Sequence, residues 1–218
     1  MKPLVLINFK VYSEVLGKRG LFLAEKLAQV KSNKYEIAIA PSLMEAAEIA
    51  HTVNIPVYAQ HADAFLEGAH TGSIAIAELK LQGFQGIILN HSEKMIPWAQ
   101  IKATIHLAKK EGLKVVVCAS SLQQVKKCAT LNPDFIAYEP KKLIGGNISV
   151  TAIKPKVIGQ AVKEVTKRNR KIKLLCGAGV HSPEDVKQAL ALGAEGVLLA
   201  HAVVKAKDPQ KFLREMLH

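Results

Sequence analysis

Aromatic residues are scarce in this chain, with Phe, Trp and Tyr together making up 5% of 218 residues. A core must therefore be aliphatic, built from Val, Ile, Leu and Ala within an apolar content of 49%. No uninterrupted apolar run approaches the roughly 18 residues that a membrane-crossing helix needs, so no membrane segment is expected. The N-terminus, MKPLVLINFK, has one early lysine but no long apolar region leading to a small-residue cleavage site. It reads as a first strand and not as a secretion signal. Cysteine is also rare. Cys118, Cys128 and Cys176 are dispersed, odd in number and form no CxxC, which predicts reduced thiols and a cytoplasmic protein. Eight histidines show no HxxxH or HExxH spacing, so no metal site is expected.

Acidic residues are few against basic ones, giving a formal net charge of +12. Such a surplus suits nucleic acid, an anionic metabolite or a solvated basic surface. The lysines are spread over helical stretches, and the densest cluster, Lys167 to Lys173, falls at an expected helix end, where cations complement the dipole. No RNA-recognition aromatic motif accompanies it. A solvated surface is the reading, with no nucleic-acid partner.

What the chain does have is a regular beat of short apolar runs: residues 4–9, 36–40, 57–60, 86–90, 114–119, 135–138, 173–177 and 196–200. Each is continuous and not alternating, the mark of a parallel sheet covered on both faces. Amphipathic stretches lie between them, among them Leu21 to Val30, Ile101 to Lys110, Ala152 to Thr166 and Asp185 to Leu192. The last is announced by Ser182-Pro183-Glu184, an N-cap followed by proline at the first helical position. Eight strand–helix units in this length predict an α/β protein, a closed (β/α)8 barrel of eight parallel strands with surrounding helices, forming a single domain over residues 1–218. An open doubly wound sheet is the rival, weakened because no GxGxxG follows the first strand.

In such barrels chemistry gathers at the C-terminal ends of the strands. Those ends carry Asn8-Phe9-Lys10, Gln60-His61, Asn90-His91-Ser92-Glu93, Glu139, Gly177-Ala178-Gly179 and Ala200-His201. Asn8 and Lys10 share a face by the two-residue period. Lys10 supplies a fixed positive charge for an anionic substrate or a developing oxyanion. His91 suits an electrophile and proton shuttle, with Ser92-Glu93 expected to open a short helix. Glu139, at the mouth of an apolar barrel, is placed to act as a base. After it, Pro140 stiffens the exit, Leu143-Ile144 can cover the site, and Gly145-Gly146 permit a tight tip. Taken singly, each residue also has a plainer reading: a snorkelling lysine, a structural histidine, a surface ion pair. The seventh and eighth units, with GAG at 177–179 and residues 196–202, are where phosphate sites form in such folds.

NFK at 8–10, AQHADAFLEGAHTG at 59–72, LNHSEK at 89–94, AYEPKKLIGG at 137–146, CGAGV at 176–180 and the VVKAKDP run together resemble triosephosphate isomerase, in its short archaeal form, over nearly the whole chain. The resemblance implies interconversion of dihydroxyacetone phosphate and D-glyceraldehyde 3-phosphate without cofactor or metal. It implies that Glu139 is the base, that neutral His91 polarises the carbonyl, that Lys10 and Asn8 hold the substrate, and that Glu93 supports them from behind. Ile144, Gly145, Gly179, Ala200 and His201 would offer amides to the phosphate. It implies a homodimer or homotetramer through the loop from His61 to Gly72, with Thr71 near the tip. Two departures stand out. The lid reads Ile144-Gly145-Gly146-Asn147 where IGTG is common, and His201-Ala202 replaces the usual archaeal Ser-Gly. The second predicts an imidazole beside the phosphate amides and, if φ is positive at Ala202, a cost of about 1 kcal/mol or more. Two other functions stay open on the residues: a different sugar-phosphate isomerase or lyase of this fold, and a catalytically impaired phosphate-binding barrel.

Overall fold

The computed structural model describes residues 2–140 and 155–218. Eight parallel strands run Leu4–Asn8 (β1), Glu36–Ala40 (β2), Tyr58–Ala59 (β3), Gly86–Leu89 (β4), Lys114–Ala119 (β5), Phe135–Tyr138 (β6), Lys173–Cys176 (β7) and Gly196–Leu199 (β8). Their spatial order is 2-1-8-7-6-5-4-3, and a parallel bridge between Ile39 and Val57 joins the two ends of the sheet. The result is a (β/α)8 barrel. Its described helices are Lys18–Ala28 (α1), Leu43–Thr52 (α2), Ile76–Leu81 (α3), Trp98–Lys110 (α4), Leu122–Ala129 (α5), Pro155–Arg168 (α6), Pro183–Ala191 (α7), His201–Val204 (α8) and Pro209–Met216 (α9).

The alternation of side chains along each strand creates two apolar layers. Leu4, Leu6, Ala38, Ala40, Val116, Cys118, Phe135 and Ala137 belong to one buried cluster inside the barrel. Their strand neighbours, such as Val5, Ile7, Val115, Val117 and Ile136, pack outward with the helices in a second, larger cluster. Both faces of each strand are thus dry, which is why the runs read as continuous. Each fully buried Leu or Ile side chain contributes about 1.5–3 kcal/mol, so aliphatic packing carries most of the fold.

One aromatic ring has a special place. Tyr58 is fully buried inside the barrel. It pairs in register with Gly86, where a Cβ would meet the Tyr58 ring at 2.3 Å. Only glycine leaves that space. The Tyr58 hydroxyl is pushed above its ordinary pKa by burial, and then by the negative charges of Glu36 and Asp134. Both lie at the N-terminal ends of strands, so the ring fills that end of the barrel.

The inward period also aims the site. Leu4 and Leu6 are followed two residues later by Asn8; Phe135 and Ala137 are followed by Glu139. A residue that continues the inward register beyond the strand end arrives at the mouth.

Several boundaries differ from expectation. β1 stops at Asn8, β4 at Leu89, β7 at Cys176 and β8 at Leu199, each one residue short, and β3 shrinks to Tyr58–Ala59. α1 and α4 each begin three residues early, at Lys18 and Trp98, because the first turn of α1 is polar and that of α4 lies directly after Pro97. Ser92 and Glu93 form a turn and not the start of a helix; α4 begins after Pro97. The cap of α7 is as expected, and it is a full capping box between Ser182 and Asp185, with Pro183 in the first turn. The first residues of the helix expected from Ala152 lie outside the described residues. Among the described residues, no helix is long and apolar enough to cross a membrane.

Candidate active site

Lys10 leaves β1 in the left-handed region, with φ of 52°. That conformation costs a non-glycine residue roughly 1–2 kcal/mol and is held by its surroundings. The Lys10 backbone N–H donates to Asn8 Oδ1 at 3.0 Å. The Gln60 side-chain amide donates to the Lys10 carbonyl at 3.1 Å and to the Ala40 carbonyl at 3.0 Å. Turned this way, Lys10 Nζ reaches Glu93 Oε1 at 2.6 Å.

His91 sits in the turn after β4 and is buried. Its Nδ1 accepts the Glu93 backbone N–H at 3.2 Å. A ring nitrogen that accepts carries no proton of its own, so the neutral ring bears its proton on Nε2. The Glu93 carboxylate lies 3.5 Å from the same Nδ1 and would favour a proton there. The backbone donor decides, because it cannot turn away, whereas the Glu93 side chain is more than half exposed and committed to Lys10. His91 Nε2 faces Glu139 Oε1 at 3.5 Å, a little beyond hydrogen-bond length.

Glu139 follows β6 and is 4% exposed. Its backbone N–H donates to the Ala119 carbonyl at 2.8 Å, so the exit from the strand is fixed. Its Oε2 is buried with no hydrogen-bond partner among the described residues. Behind it lies Gly177, where a Cβ would stand 2.4 Å from Glu139 Cγ. Cys118 is the other neighbour: burial, and then the charge of Glu139, push its thiol well above the ordinary range.

The structure therefore brings Lys10, Glu93, His91 and Glu139 into one chain of contacts, with Asn8 beneath Lys10. Three loops remote in sequence supply them. Gly179 has φ of 67° in the loop after β7. Ala200 precedes α8 and its carbonyl accepts from Val203 and Val204. Ile144 and Gly145 lie outside the described residues. Thr71 is exposed on the loop after β3.

Ala202 corrects an expectation. The His201 side chain is exposed and stands edge-on to Tyr12, ring centroids 6.3 Å apart. Ala202 lies within α8 and is not among the positive-φ residues, so the backbone cost does not arise. Four residues contribute in ways not foreseen from sequence: Asn90 and Gln60 by their bonding, Gly177 by its contact with Glu139, and Cys118 by its thiol. Asn at a strand end tolerates positive φ but does not announce it, and these contacts join residues too distant for any local pattern. Among the described residues, no group of three or more His, Cys, Asp or Glu is gathered to hold a metal ion.

A sequence model described as triosephosphate isomerase matches residues 3–216. The chain belongs to the triosephosphate isomerase family. It is 44% identical to the triosephosphate isomerase of Methanocaldococcus jannaschii over 215 residues, covering 98% of each chain. It is 43% identical to that of Archaeoglobus fulgidus, covering 98% of this chain and 96% of the relative. For Methanothermus fervidus the figures are 41% identity, 99% and 98%. Triosephosphate isomerase relatives from archaea thus match this chain essentially end to end.

Proposed function

We infer that this chain is a triosephosphate isomerase, interconverting dihydroxyacetone phosphate and D-glyceraldehyde 3-phosphate. One observation carries the reading: Glu139 Oε1 and His91 Nε2 face each other 3.5 Å apart, a carboxylate and a ring N–H across a gap. A ketose seated over this pair would accept a hydrogen bond from Nε2–H at its carbonyl oxygen while Glu139 takes a proton from the neighbouring carbon. The electron pair of that C–H bond moves into an enediolate, whose negative oxygen is stabilised by His91 and by the ammonium of Lys10. Returning the proton to the other carbon, with His91 moving protons between the two oxygens, gives the aldose. Lys10 and Asn8 hold the substrate, and Glu93 keeps Lys10 and His91 in place. That Glu139 Oε2 has no hydrogen-bond partner among the described residues supports the assignment of a base.

The phosphate is assigned to backbone amides of Gly179, Ala200 and His201 and, as the resemblance implies, of Ile144 and Gly145. The acidic carbon is already activated by its carbonyl, so the chemistry calls for no metal or cofactor. One barrel domain over residues 1–218 and a cytoplasmic location complete the proposal, supported by three buried, free cysteines.

We also propose self-association through the loop 61–72, with Thr71 in the contact. Val11, Met44, Phe65 and Met95 are large apolar side chains left exposed. They follow β1, β2, β3 and β4, which are neighbours in the barrel. Apolar side chains gathered on one flank of the mouth support a second copy as the partner; dimer and tetramer are distinguished by light scattering.

The test of the reaction is a coupled assay with D-glyceraldehyde 3-phosphate. The wild-type chain turns it over, while Glu139→Gln loses about 10²–10⁴-fold in kcat and still binds a phosphoglycolate-type mimic. Near-normal turnover in Glu139→Gln removes Glu139 as the base.

A further inference from the structure

Directly before His91 stands Asn90, in the left-handed region with φ of 57°. Its side-chain amide makes two bonds in opposite directions. Nδ2 donates to the Cys118 carbonyl at 3.1 Å, and Oδ1 accepts the Ile96 N–H at 3.3 Å. The first bond reaches β5, the next strand of the barrel. The second reaches the far end of the segment that precedes α4. One side chain thus closes the turn 91–95 into a loop and fastens that loop to the sheet.

Everything the turn carries depends on this closure. His91 and Glu93 sit inside it, joined by the Glu93 N–H to His91 Nδ1 bond, and the Lys94 N–H donates to the His91 carbonyl at 2.8 Å. No regular helix holds these residues, since they form a turn. Asn90 also lines a cleft with Ser92, Cys118, Gln124 and Glu139, so its amide is a neighbour of the base as well.

We propose that Asn90 is a positioning residue for His91. Its backbone sets the direction in which the chain leaves β4, and its amide fixes the turn so that Nδ1 meets the Glu93 N–H and Nε2 faces Glu139. Two properties of asparagine are used together: tolerance of positive φ and a side chain that donates and accepts at once. Glycine would keep the first and lose the second. This inference rests on the isomerase reading for its kinetic consequence, but not for its structural one.

The decisive variant is Asn90→Gly, which leaves φ unstrained and removes both amide bonds. Its kcat falls about tenfold and its KM stays within about twofold, because the carbonyl-facing group is displaced and the phosphate contacts are not. In the His91→Gln background the same substitution changes kcat by less than about twofold, as required of a residue that acts through His91. Nitrogen-15 NMR of the His91 ring shows a single Nε2–H tautomer in the wild type and a mixture in Asn90→Gly. Should Asn90→Gly fail to fold, Asn90→Asp retains the acceptor for Ile96 and loses the donor to Cys118, and gives a smaller loss of kcat. A wild-type kcat in either variant overturns the proposal, and so does an equal loss of kcat in both His91 backgrounds. Absence of turnover in the wild-type chain defeats the isomerase reading instead, and the tautomer measurement then decides the inference alone.

Discussion

Gly177 presses so closely on Glu139 that a single added methyl group would stand 2.4 Å from Cγ and 3.2 Å from Cδ. Cβ atoms do not approach that near, and Glu139 is buried at 4% exposure, so the carboxylate must shift. Gly177→Ala is expected to lower kcat by roughly 10²-fold, the usual cost of misplacing a reacting group by about 1 Å. Gly177 is not among the positive-φ residues, so backbone strain adds nothing, but the overpacking itself is expected to cost about 1–3 kcal/mol of stability. Steady-state kinetics with a thermal melt separate the two; an unchanged kcat would mean that Glu139 finds an equivalent position.

Lys10 shows how a site can store strain. Lys10→Gly relieves about 1–2 kcal/mol of left-handed backbone cost. It forfeits an ion pair with Glu93, the lysine side chain 14% and the glutamate 57% exposed, worth about 1 kcal/mol, and glycine's freedom in the unfolded chain costs about 0.5–1 kcal/mol. These nearly cancel. Urea unfolding should show a change below about 1 kcal/mol, while turnover falls about 10²–10³-fold through loss of the charge. A loss of stability above about 2 kcal/mol would show that the lysine stem, not the strain, dominates.

The thiols predict behaviour at alkaline pH. Burial pushes Cys128 up to about 11 and Cys176 up to about 12, from an ordinary 9.0. A raised pKa means the folded state keeps a proton that the unfolded chain gives up. The contribution is complete below pH 9.0 and is lost as pH rises through the folded value. The stability advantage of wild type over Cys128→Ala should therefore shrink between pH 9 and about 11. Denaturant melts across that window check it, and a constant difference would place the thiol in a wetter site.

The capping box of α7 is tied to the loop that bears Gly179. Ser182 Oγ accepts the Asp185 N–H at 3.2 Å, and Asp185 Oδ2 accepts from Ser182 and His181 at 3.0 and 2.9 Å. Ser182→Ala should cost about 1 kcal/mol, seen as a fall of about 2–4 °C in Tm for a chain of this size. No fall at all would mean that solvent replaces the hydroxyl.

Much of the barrel was legible because dry strands write themselves as unbroken aliphatic runs: 36–40, 114–119 and 135–138 fall where expected, to the residue. Helix starts were less so, since the first turns of α1 and α4 are polar or proline-flanked. Glu139 and Asn8 could be aimed from the two-residue period alone. The left-handed backbones of Lys10 and Asn90 could not, because φ there is imposed by partners such as Gln60 and Cys118, tens of residues away. Nor could the fit of Gly177 against Glu139, a contact between β6 and β7 visible only once the sheet has closed.

Tyr58, wedged against Gly86 at the N-terminal end, turns the barrel into a blind well. Traffic can pass through one doorway only. A departing aldose and an arriving ketose must take turns there, so either isomer excludes the other from the empty protein, and the direction of net flow is left to their relative supply.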